Sequence, residues 1–248
     1  MSLYSFFGCM FLAYGPLLSI FFLYISRDAQ LVLLMVCSAF FWLIAILLSS
    51  VIWFAATPAR NMNAVTILYS VILQELFRWA LFKLLHRAEK GLMIVSKNPK
   101  SRYNRSVFAF VSGFGFGLTS ALVTYISTLV QTIEPGVIMC PSCPKATLFF
   151  ISAINTSLTS LQHITWMMIA FEAYLNLPTL LGFLQGAWVL VSHFGVSYAM
   201  LLNASESVSL GCVYAIIIQL VILAISITLV VLNLKKHYGA AVISRTQR

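Results

Sequence analysis

Two charged side chains lie in an apolar stretch, where ionisable groups are rare and usually mark a functional site or an ion pathway. Glu75 is followed three residues later by Arg78. This spacing places both on one face of a helix, where their charges can neutralise each other. No second carboxylate lies at a comparable depth in another apolar stretch. We therefore interpret the two as an internal ion pair that fixes its helix, in preference to a proton or ion relay.

Two histidines, His163 and His193, fall near the middle of two later apolar stretches. Two such groups on neighbouring helices predict a shared polar pocket. No Cys, carboxylate or third His is evident at a matching depth, so we predict neither a metal site nor a cofactor. A structural pairing, or a hydrogen bond between subunits, is favoured over acid–base chemistry.

Small residues recur every four positions at Gly113, Gly117 and Ala121 and so line one helix face. Faces of this kind let two helix backbones approach closely in lipid. They indicate helix packing, either within this chain or with a partner. Gly182 and Gly186 form a second, weaker instance.

Cysteines offer a further candidate site. Cys140 and Cys143 have the C-x-x-C spacing of redox and zinc sites, but a single pair without a nearby His is a weak signal. A plain loop, with or without a local disulfide, is the favoured interpretation. Cys9, Cys37 and Cys212 lie in apolar stretches and are interpreted as small apolar fillers.

The composition shows which elements must position these residues. Apolar residues make up 61% of the 248 residues and charged residues only 8%, whereas soluble domains carry about 25% charged residues. So much apolar surface requires lipid as the solvent. The net charge of +9 suggests a nucleic-acid partner, but the basic residues cluster beside the apolar stretches. We therefore predict no nucleic-acid binding.

Apolar stretches long enough to cross the membrane as helices, about 20 residues each, number seven. We predict an all-α, polytopic membrane protein whose residues 1–248 form a single seven-helix domain, with spans at 3–25, 31–54, 63–85, 107–133, 147–171, 179–202 and 209–234.

The loops between these spans are asymmetric in charge. If the spans alternate in direction, eleven Lys and Arg residues lie on one side and only Arg60 and Lys145 on the other. The positive-inside rule then predicts a lumenal or extracellular N-terminus and a cytosolic C-terminus. Asn203 begins a glycosylation sequon on the predicted lumenal side, although its closeness to the membrane argues against modification.

Motifs along nearly the whole chain resemble the anterior-pharynx-defective-one family, the multi-spanning scaffold subunit of γ-secretase. The matching segments, in chain order, are Phe6-Phe7-Gly8-Cys9, Ala13-Tyr14-Gly15-Pro16, Ala39-Phe40-Phe41-Trp42-Leu43, Leu73-Gln74-Glu75-Leu76-Phe77-Arg78, Lys83-Leu84-Leu85, the glycines from Gly113, His163-Ile164-Thr165-Trp166 and Ser192-His193. The segment between the glycines and His163 matches less well.

The resemblance implies a non-catalytic subunit that binds nicastrin, presenilin and the presenilin enhancer subunit. It implies that the complex cleaves the membrane-bound stubs of single-pass proteins of the Notch and amyloid-precursor type. It also implies that the complex resides in the endoplasmic reticulum, Golgi, plasma membrane and endosomes. It also assigns the family's glycine face to Gly113 and Gly117, with Ala121 where a third glycine is often found. His163 and His193 match the family's two membrane histidines.

Three other functions are possible from the sequence. A rhomboid-like serine protease would pair Ser112 with His193, but Phe110 replaces the first glycine of its G-x-S-G element and the two residues differ in predicted depth. A seven-helix receptor would carry a charged triplet at the cytosolic end of span 3, which this sequence lacks. A transporter would show repeated halves with interrupted helices, which we do not find.

Overall fold

The computed structural model describes residues 3–57, 62–95, 103–134 and 136–246. These residues form long helices and one short hairpin: α1 (Leu3–Leu23), α2 (Ala29–Ala55), α3 (Asn63–Val95), α4 (Tyr103–Gln131), β1 (Met139–Cys140), β2 (Cys143–Thr147), α5 (Leu148–Leu175), α6 (Leu180–Ala199) and α7 (Gly211–Thr246). Short 3₁₀ turns follow α1 and α6, at Ile25–Arg27 and Met200–Ala204. The all-α prediction agrees with this architecture, apart from the hairpin.

Six helices in the described part of the chain are long and apolar enough to cross a membrane: α1, α2, α3, α4, α6 and α7. The helix outside this set is α5, the fifth of the seven predicted spans. Its 28 residues reach about 42 Å, which exceeds the hydrocarbon thickness, so its length is sufficient. Its most apolar stretch is less apolar than those of the six other helices, because polar residues such as Asn155, Gln162 and His163 interrupt it.

The position of α5 explains that composition. It contacts α1, α3, α4, α6 and α7, and every residue from Gln162 to Met167 is buried. Apart from Phe150 in the first turn, its side chains therefore meet protein rather than lipid, and polar residues with partners are tolerated there. The hydroxyl of Thr147 caps its first turn by accepting a hydrogen bond from the backbone N–H of Phe150 at 3.3 Å.

The outer surface is apolar, as a lipid environment requires. On α2, Leu33, Phe40, Leu47 and Phe54 are each more than half exposed. Their seven-residue spacing places them on one side of the helix. The opposite side carries Trp42, which is buried in the core. The pattern agrees with a multi-pass membrane protein.

The loop between α4 and α5 answers one question that the sequence left open, the pairing of Cys143, and corrects one prediction, the role of Cys212. Cys140 and Cys143 pair across the antiparallel hairpin β1–β2, but the sulfur of Cys143 forms a disulfide with Cys212. Cys212 is thus not an apolar filler. It begins α7 rather than lying deep within the span, and the hydroxyl of Ser142 accepts a hydrogen bond from its backbone N–H at 3.0 Å. Cys140 is a free, buried thiol.

The loop between the predicted spans 63–85 and 107–133, which was assigned six of the eleven basic residues, is shorter than expected. Helix α3 continues to Val95, and α4 begins at Tyr103. Of the basic residues assigned to this loop, Lys97, Lys100 and Arg102 lie outside the described residues, as does Arg60 on the opposite side. Arg87 and Arg105 lie on the described parts of α3 and α4.

We expect the N-terminus to be lumenal and the C-terminus cytosolic. The disulfide lies at the hairpin end of the bundle, opposite the end that carries most of the described basic residues, and disulfides persist in oxidising compartments. Epitope tags at each end, probed with protease before and after selective permeabilisation, measure the orientation. Since α5 decides whether the number of spans is odd, finding both tags on one side would contradict its crossing.

Candidate functional site

A buried charged pair lies in the centre of the bundle on α3. The Nε atom of Arg78 donates to both carboxylate oxygens of Glu75, at 3.2 Å to Oε1 and 3.1 Å to Oε2. The side chain of Arg78 is fully buried, and that of Glu75 is 13% exposed. The three-residue spacing thus lets the ion pair form within one turn of the helix. Each charge is neutralised by the other at a site from which water is excluded.

The two histidines extend this pair to two other helices. Nδ1 of His193, on α6, lies 2.6 Å from Oε1 of Glu75. Nδ1 of His163, on α5, lies 3.4 Å from Nη2 of Arg78, and its backbone carbonyl accepts from Nη1 at 3.5 Å. The four residues, which we call the charged network, thus join α3, α5 and α6. The sequence suggested a pocket for the histidines but did not connect it to the ion pair.

The hydrogen-bond partner of each imidazole determines whether its Nδ1 atom donates or accepts. A guanidinium can only donate, so Nδ1 of His163 accepts and a neutral ring carries its proton on Nε2. An ionised carboxylate can only accept, so Nδ1 of His193 donates. In this network Arg78 donates hydrogen bonds to His163 and to Glu75, and His193 donates to Glu75.

Aromatic side chains enclose the network. The ring of Trp166 stacks on His193, with centroids 4.5 Å apart, and the two imidazoles are 5.5 Å apart. The guanidinium of Arg78 lies over the rings of Phe116, at 5.4 Å, and Trp166, at 6.0 Å. Such contacts stabilise a desolvated cation. The arrangement holds each ionisable group in a fixed orientation between three helices.

Neither metal binding nor serine chemistry is favoured by this geometry. Within the described ranges, no group of three His, Cys, Asp or Glu residues has a metal-binding arrangement. The hydroxyl of Ser112 has no hydrogen-bond partner among the described residues, while Nδ1 of His193 faces Glu75. A serine protease would require the serine hydroxyl to bond to the histidine.

The glycine face of α4 packs against α5 of the same chain. A Cβ atom on Gly113 would lie 2.7 Å from Cα of Ile164, and one on Gly117 would lie 2.5 Å from the carbonyl oxygen of Ser160. Only glycine permits this approach. Ala121, one turn further, is buried, and its carbonyl accepts a hydrogen bond from the hydroxyl of Tyr14 at 3.3 Å.

Gly115 lies on a different face of α4 and was not distinguished from the sequence. A Cβ there would clash with the carbonyl oxygen of Met35 on α2. Close to it, the hydroxyl of Ser38 donates to the carbonyl of Ser112. Helix α4 therefore uses glycines on two faces to pack between α2 and α5.

The weaker pair of small residues in α6 also packs inside the chain. A Cβ on Gly182 would lie 2.8 Å from the carbonyl carbon of Asn176, in the turn between α5 and α6. A Cβ on Gly186 would approach only the Cβ of Ala173, at 3.9 Å. The first glycine is required for a close turn, whereas the second has ordinary packing space.

A polar seam between α5 and α7 was missed by the sequence reasoning. The amide of Gln219 donates to Oδ1 of Asn155 at 2.8 Å, and its backbone carbonyl accepts from the amide of Gln162 at 2.9 Å. Gln219 is fully buried. The sequence did contain a signal for this seam. Gln219 is a polar residue in the middle of an apolar span, and such a residue is expected to face other helices rather than lipid.

Comparison with known proteins connects this geometry to one family. The family model described as Aph-1 protein matches residues 4–233. The chain is 33% identical over 207 residues to "Gamma-secretase subunit Aph-1" of Drosophila melanogaster, covering 83% of this chain and 84% of that protein. It is 34% identical over 182 residues to "Gamma-secretase subunit Aph-1b" of Danio rerio, with 70% of each covered. With "Gamma-secretase subunit APH-1B" of Homo sapiens, identity is 30% over 228 residues, or 86% of this chain and 84% of that protein. This chain, which the family model matches from α1 into α7, therefore belongs to the Aph-1 family.

Proposed function

We propose that this chain is a non-catalytic scaffold subunit of a γ-secretase complex. Relatives that cover most of its length are named as γ-secretase subunits. The observation that best supports a scaffold role is the charged network, in which Glu75, Arg78, His163 and His193 bond to one another. Their bonds join three helices, which is what a rigid support requires.

Acid–base catalysis makes different demands on such groups. A general base must reach a proton of the substrate within hydrogen-bond distance, directly or through one water. In this chain, Nδ1 of His193 is directed at Glu75 and Nδ1 of His163 at Arg78. Both side chains are almost fully buried. The geometry favours positioning of helices over proton transfer to a substrate.

The partners in this proposal are presenilin, nicastrin and the presenilin enhancer subunit, together with membrane lipid. The chain would support presenilin and nicastrin, so that the complex cleaves single-pass membrane stubs of the Notch and amyloid-precursor type. The compartments are the endoplasmic reticulum, the Golgi, the plasma membrane and endosomes. Residues proposed to maintain the scaffold are the charged network and the small residues Gly113, Gly117 and Ala121 of α4.

Purification of the tagged full chain in mild detergent tests the proposal. We expect the three named partners to co-purify, and proteolytic activity to appear only when presenilin is present. Peptide cleavage by the chain purified alone would overturn the scaffold assignment, as would its recovery without any of the partners.

Substitution of the histidines separates a structural role from a catalytic one. Both hydrogen bonds use Nδ1, the nitrogen attached to Cγ, and the side-chain amide of Asn places its polar atoms nearest to that position. We expect His163→Asn and His193→Asn to retain most complex assembly, Gln to retain less, and Ala to lose ~1–2 kcal/mol of packing stability. Subunit recovery and proteolysis are measured in parallel for all six variants.

Activity should follow assembly through this series, since Asn cannot exchange a proton near neutral pH. Trp188→Phe is a suitable control, because it removes a different hydrogen bond of α6, from Trp188 to Ser226 at 3.1 Å, and leaves the network intact. Fully assembled but inactive Asn variants would contradict the structural role.

A further inference from the structure

Three of the five cysteines, Cys140, Cys143 and Cys212, form one buried cluster at the hairpin end of the bundle. Cys143 and Cys212 share the disulfide, whereas Cys140 retains a free thiol. None of the three residues is more than 7% exposed, so soluble thiols and oxidants have little access to the sulfurs. The reaction open to a thiol enclosed with a disulfide is exchange inside the cluster.

Cys143 is within bonding reach of both other cysteines. Its Cα atom lies 6.1 Å from that of Cys212. Cys140 faces it directly across the hairpin β1–β2, and Cα atoms of directly opposed residues in antiparallel strands are about 4.5–5.5 Å apart. Both separations fall in the range of roughly 4.4–6.8 Å that a disulfide bridges. Cys143 can therefore bond to either cysteine without a large movement of the backbone.

The buried hydroxyl of Ser142 connects the free thiol with the disulfide. Its oxygen lies 3.6 Å from the sulfur of Cys140 and donates to the sulfur of Cys143 at 3.9 Å. A serine hydroxyl rotates to suit its partners. Its proton can therefore turn to the sulfur of Cys140 when that thiol is deprotonated, and a hydrogen bond to an ionised acceptor is a strong one. The attacking sulfur and the attacked sulfur thus contact one polar group.

Cys212 is the better leaving group of the disulfide. It lies in the first turn of α7, where backbone N–H groups without partners in the helix favour a negative charge. Its own backbone N–H donates to the hydroxyl of Ser142 at 3.0 Å. A thiolate at a helix N-terminus is stabilised, and a stabilised thiolate leaves faster during exchange. Attack on Cys143, with departure of Cys212, is the favoured direction.

We propose that Cys140, Cys143 and Cys212 form an internal thiol–disulfide switch. The thiolate of Cys140 attacks Sγ of Cys143. The bond between Cys140 and Cys143 forms while the bond between Cys143 and Cys212 breaks, and the Cys212 thiolate takes up the proton that Cys140 released. No external oxidant or reductant is consumed. The switch is independent of the proposed scaffold function, since it concerns only groups of this chain.

The two states of the switch differ in how the hairpin holds the segment between α6 and α7. Before exchange, the disulfide ties the hairpin to α7, and the thiol of Cys140 donates to the carbonyl of Asn203 at 3.4 Å. Exchange removes both links. The hydrogen bond from the N–H of Leu210 to the carbonyl of Ser142, at 2.9 Å, does not depend on sulfur and can remain. The exchanged state therefore leaves the start of α7 in place but free to move.

Alkylation of the unmodified full chain tests the switch without depending on the folding of any variant. The chain, purified in mild detergent without reductant, is incubated with excess N-ethylmaleimide in mildly alkaline buffer. Samples are acid-quenched over time, digested and mapped by mass spectrometry. We expect label to accumulate on Cys212 at the rate at which a disulfide between Cys140 and Cys143 appears. Label on Cys140 with the original disulfide intact, or no label on any of the three cysteines, would overturn the proposal.

Cys140→Ser removes the nucleophile and keeps a small polar side chain. It should slow the labelling of Cys212 at least roughly ten-fold, because the thiolate is the attacking species. Cys37→Ser is the matched control, since it removes a free cysteine of α2 outside the cluster. It should exchange at the rate of the unmodified chain. Equal labelling of Cys212 in Cys140→Ser would show that Cys140 is not the nucleophile.

Cys212→Ser should fix the chain in the exchanged state, with a disulfide between Cys140 and Cys143. Hydrogen–deuterium exchange then compares it with Cys140→Ser, which keeps the original disulfide. We expect amide exchange in residues 200–212 to be roughly ten-fold faster in Cys212→Ser, since a covalent tie is lost there, and unchanged in α4. Two free thiols in folded Cys212→Ser, or equal exchange rates in the two variants, would contradict the switch.

Discussion

Gly117→Leu is expected to leave the chain inserted in the membrane but unable to pack α4 against α5. The first atom of the new side chain would lie 2.5 Å from the carbonyl oxygen of Ser160. Because that oxygen belongs to the backbone, no rotamer change can move it away, and the two helices must separate. Gly113→Leu should have the same effect, since its Cβ would lie 2.7 Å from Cα of Ile164.

The expected loss is large because this contact is the most extensive between helices of the chain, and α5 is the centre of the bundle. Overpacking of a tight core costs about 1–3 kcal/mol or more, so recovery of folded chain should fall roughly ten-fold or more. Assembly with presenilin and nicastrin should fall in parallel. Thermal aggregation of the detergent-purified chain and co-precipitation of the partners measure the two effects.

Gly8→Leu is the matched control, because no atom lies within 4 Å of a Cβ at that glycine of α1. It should fold and assemble normally. The small-residue spacing in the sequence left open whether the α4 glycines contact a partner or their own chain. A Gly117→Leu chain that is stable alone but fails to bind partners would contradict packing within the chain.

Glu75→Gln is expected to be the most destabilising single change in the charged network. It removes the counter-ion of a fully buried arginine and replaces one of the two acceptor oxygens, which serve Arg78 and His193, with an NH₂ group. Breaking a buried ion pair by removing one partner costs roughly 3–5 kcal/mol, since the remaining charge is uncompensated. Arg78→Gln should be of similar severity, because it leaves the carboxylate of Glu75 with His193 alone and removes the donor to His163.

The double variant Glu75→Gln/Arg78→Gln should cost less than the sum of the two single changes. Two neutral amides leave no isolated charge and can hydrogen-bond to each other, so a coupling energy of about 0.5–3 kcal/mol is expected. Thermal stability of the detergent-purified chain, with His193 present throughout, measures it. Glu206→Gln is the control, since that carboxylate is exposed in the loop before α7. Strict additivity would contradict a coupled pair.

The long helices were predictable from one sequence because lipid imposes a simple rule. A span needs about 20 apolar residues, and the six apolar helices satisfy it. The rule is weakest for α5, which is shielded from lipid by its neighbours and so carries Asn155, Gln162 and His163. The ion pair of α3 was also predictable, because a spacing of three residues is a property of one helix.

Contacts between helices were harder to predict, because they depend on rotation and depth that sequence spacing does not contain. Glu75 and His193 are 118 residues apart, yet they share a hydrogen bond. The apolar pattern of the sequence identified the span that contains Cys212. It did not show that Cys212 pairs with Cys143, because that pairing depends on the hairpin, which places Cys143 next to the start of α7. The small-residue pattern of α4 indicated close packing without naming α5 as the partner.

The disulfide also imposes an order on the biogenesis of the chain. Synthesis delivers Cys140 and Cys143 first, as neighbours across one hairpin, and Cys212 only 69 residues after Cys143. With the N-terminus on the expected lumenal side, Cys212, in the first turn of α7, reaches the oxidising side only when the translocation machinery has handed over α5, α6 and the first residues of the last helix. Pairing of Cys143 with Cys212, rather than with Cys140, is therefore a covalent record that this handover is finished.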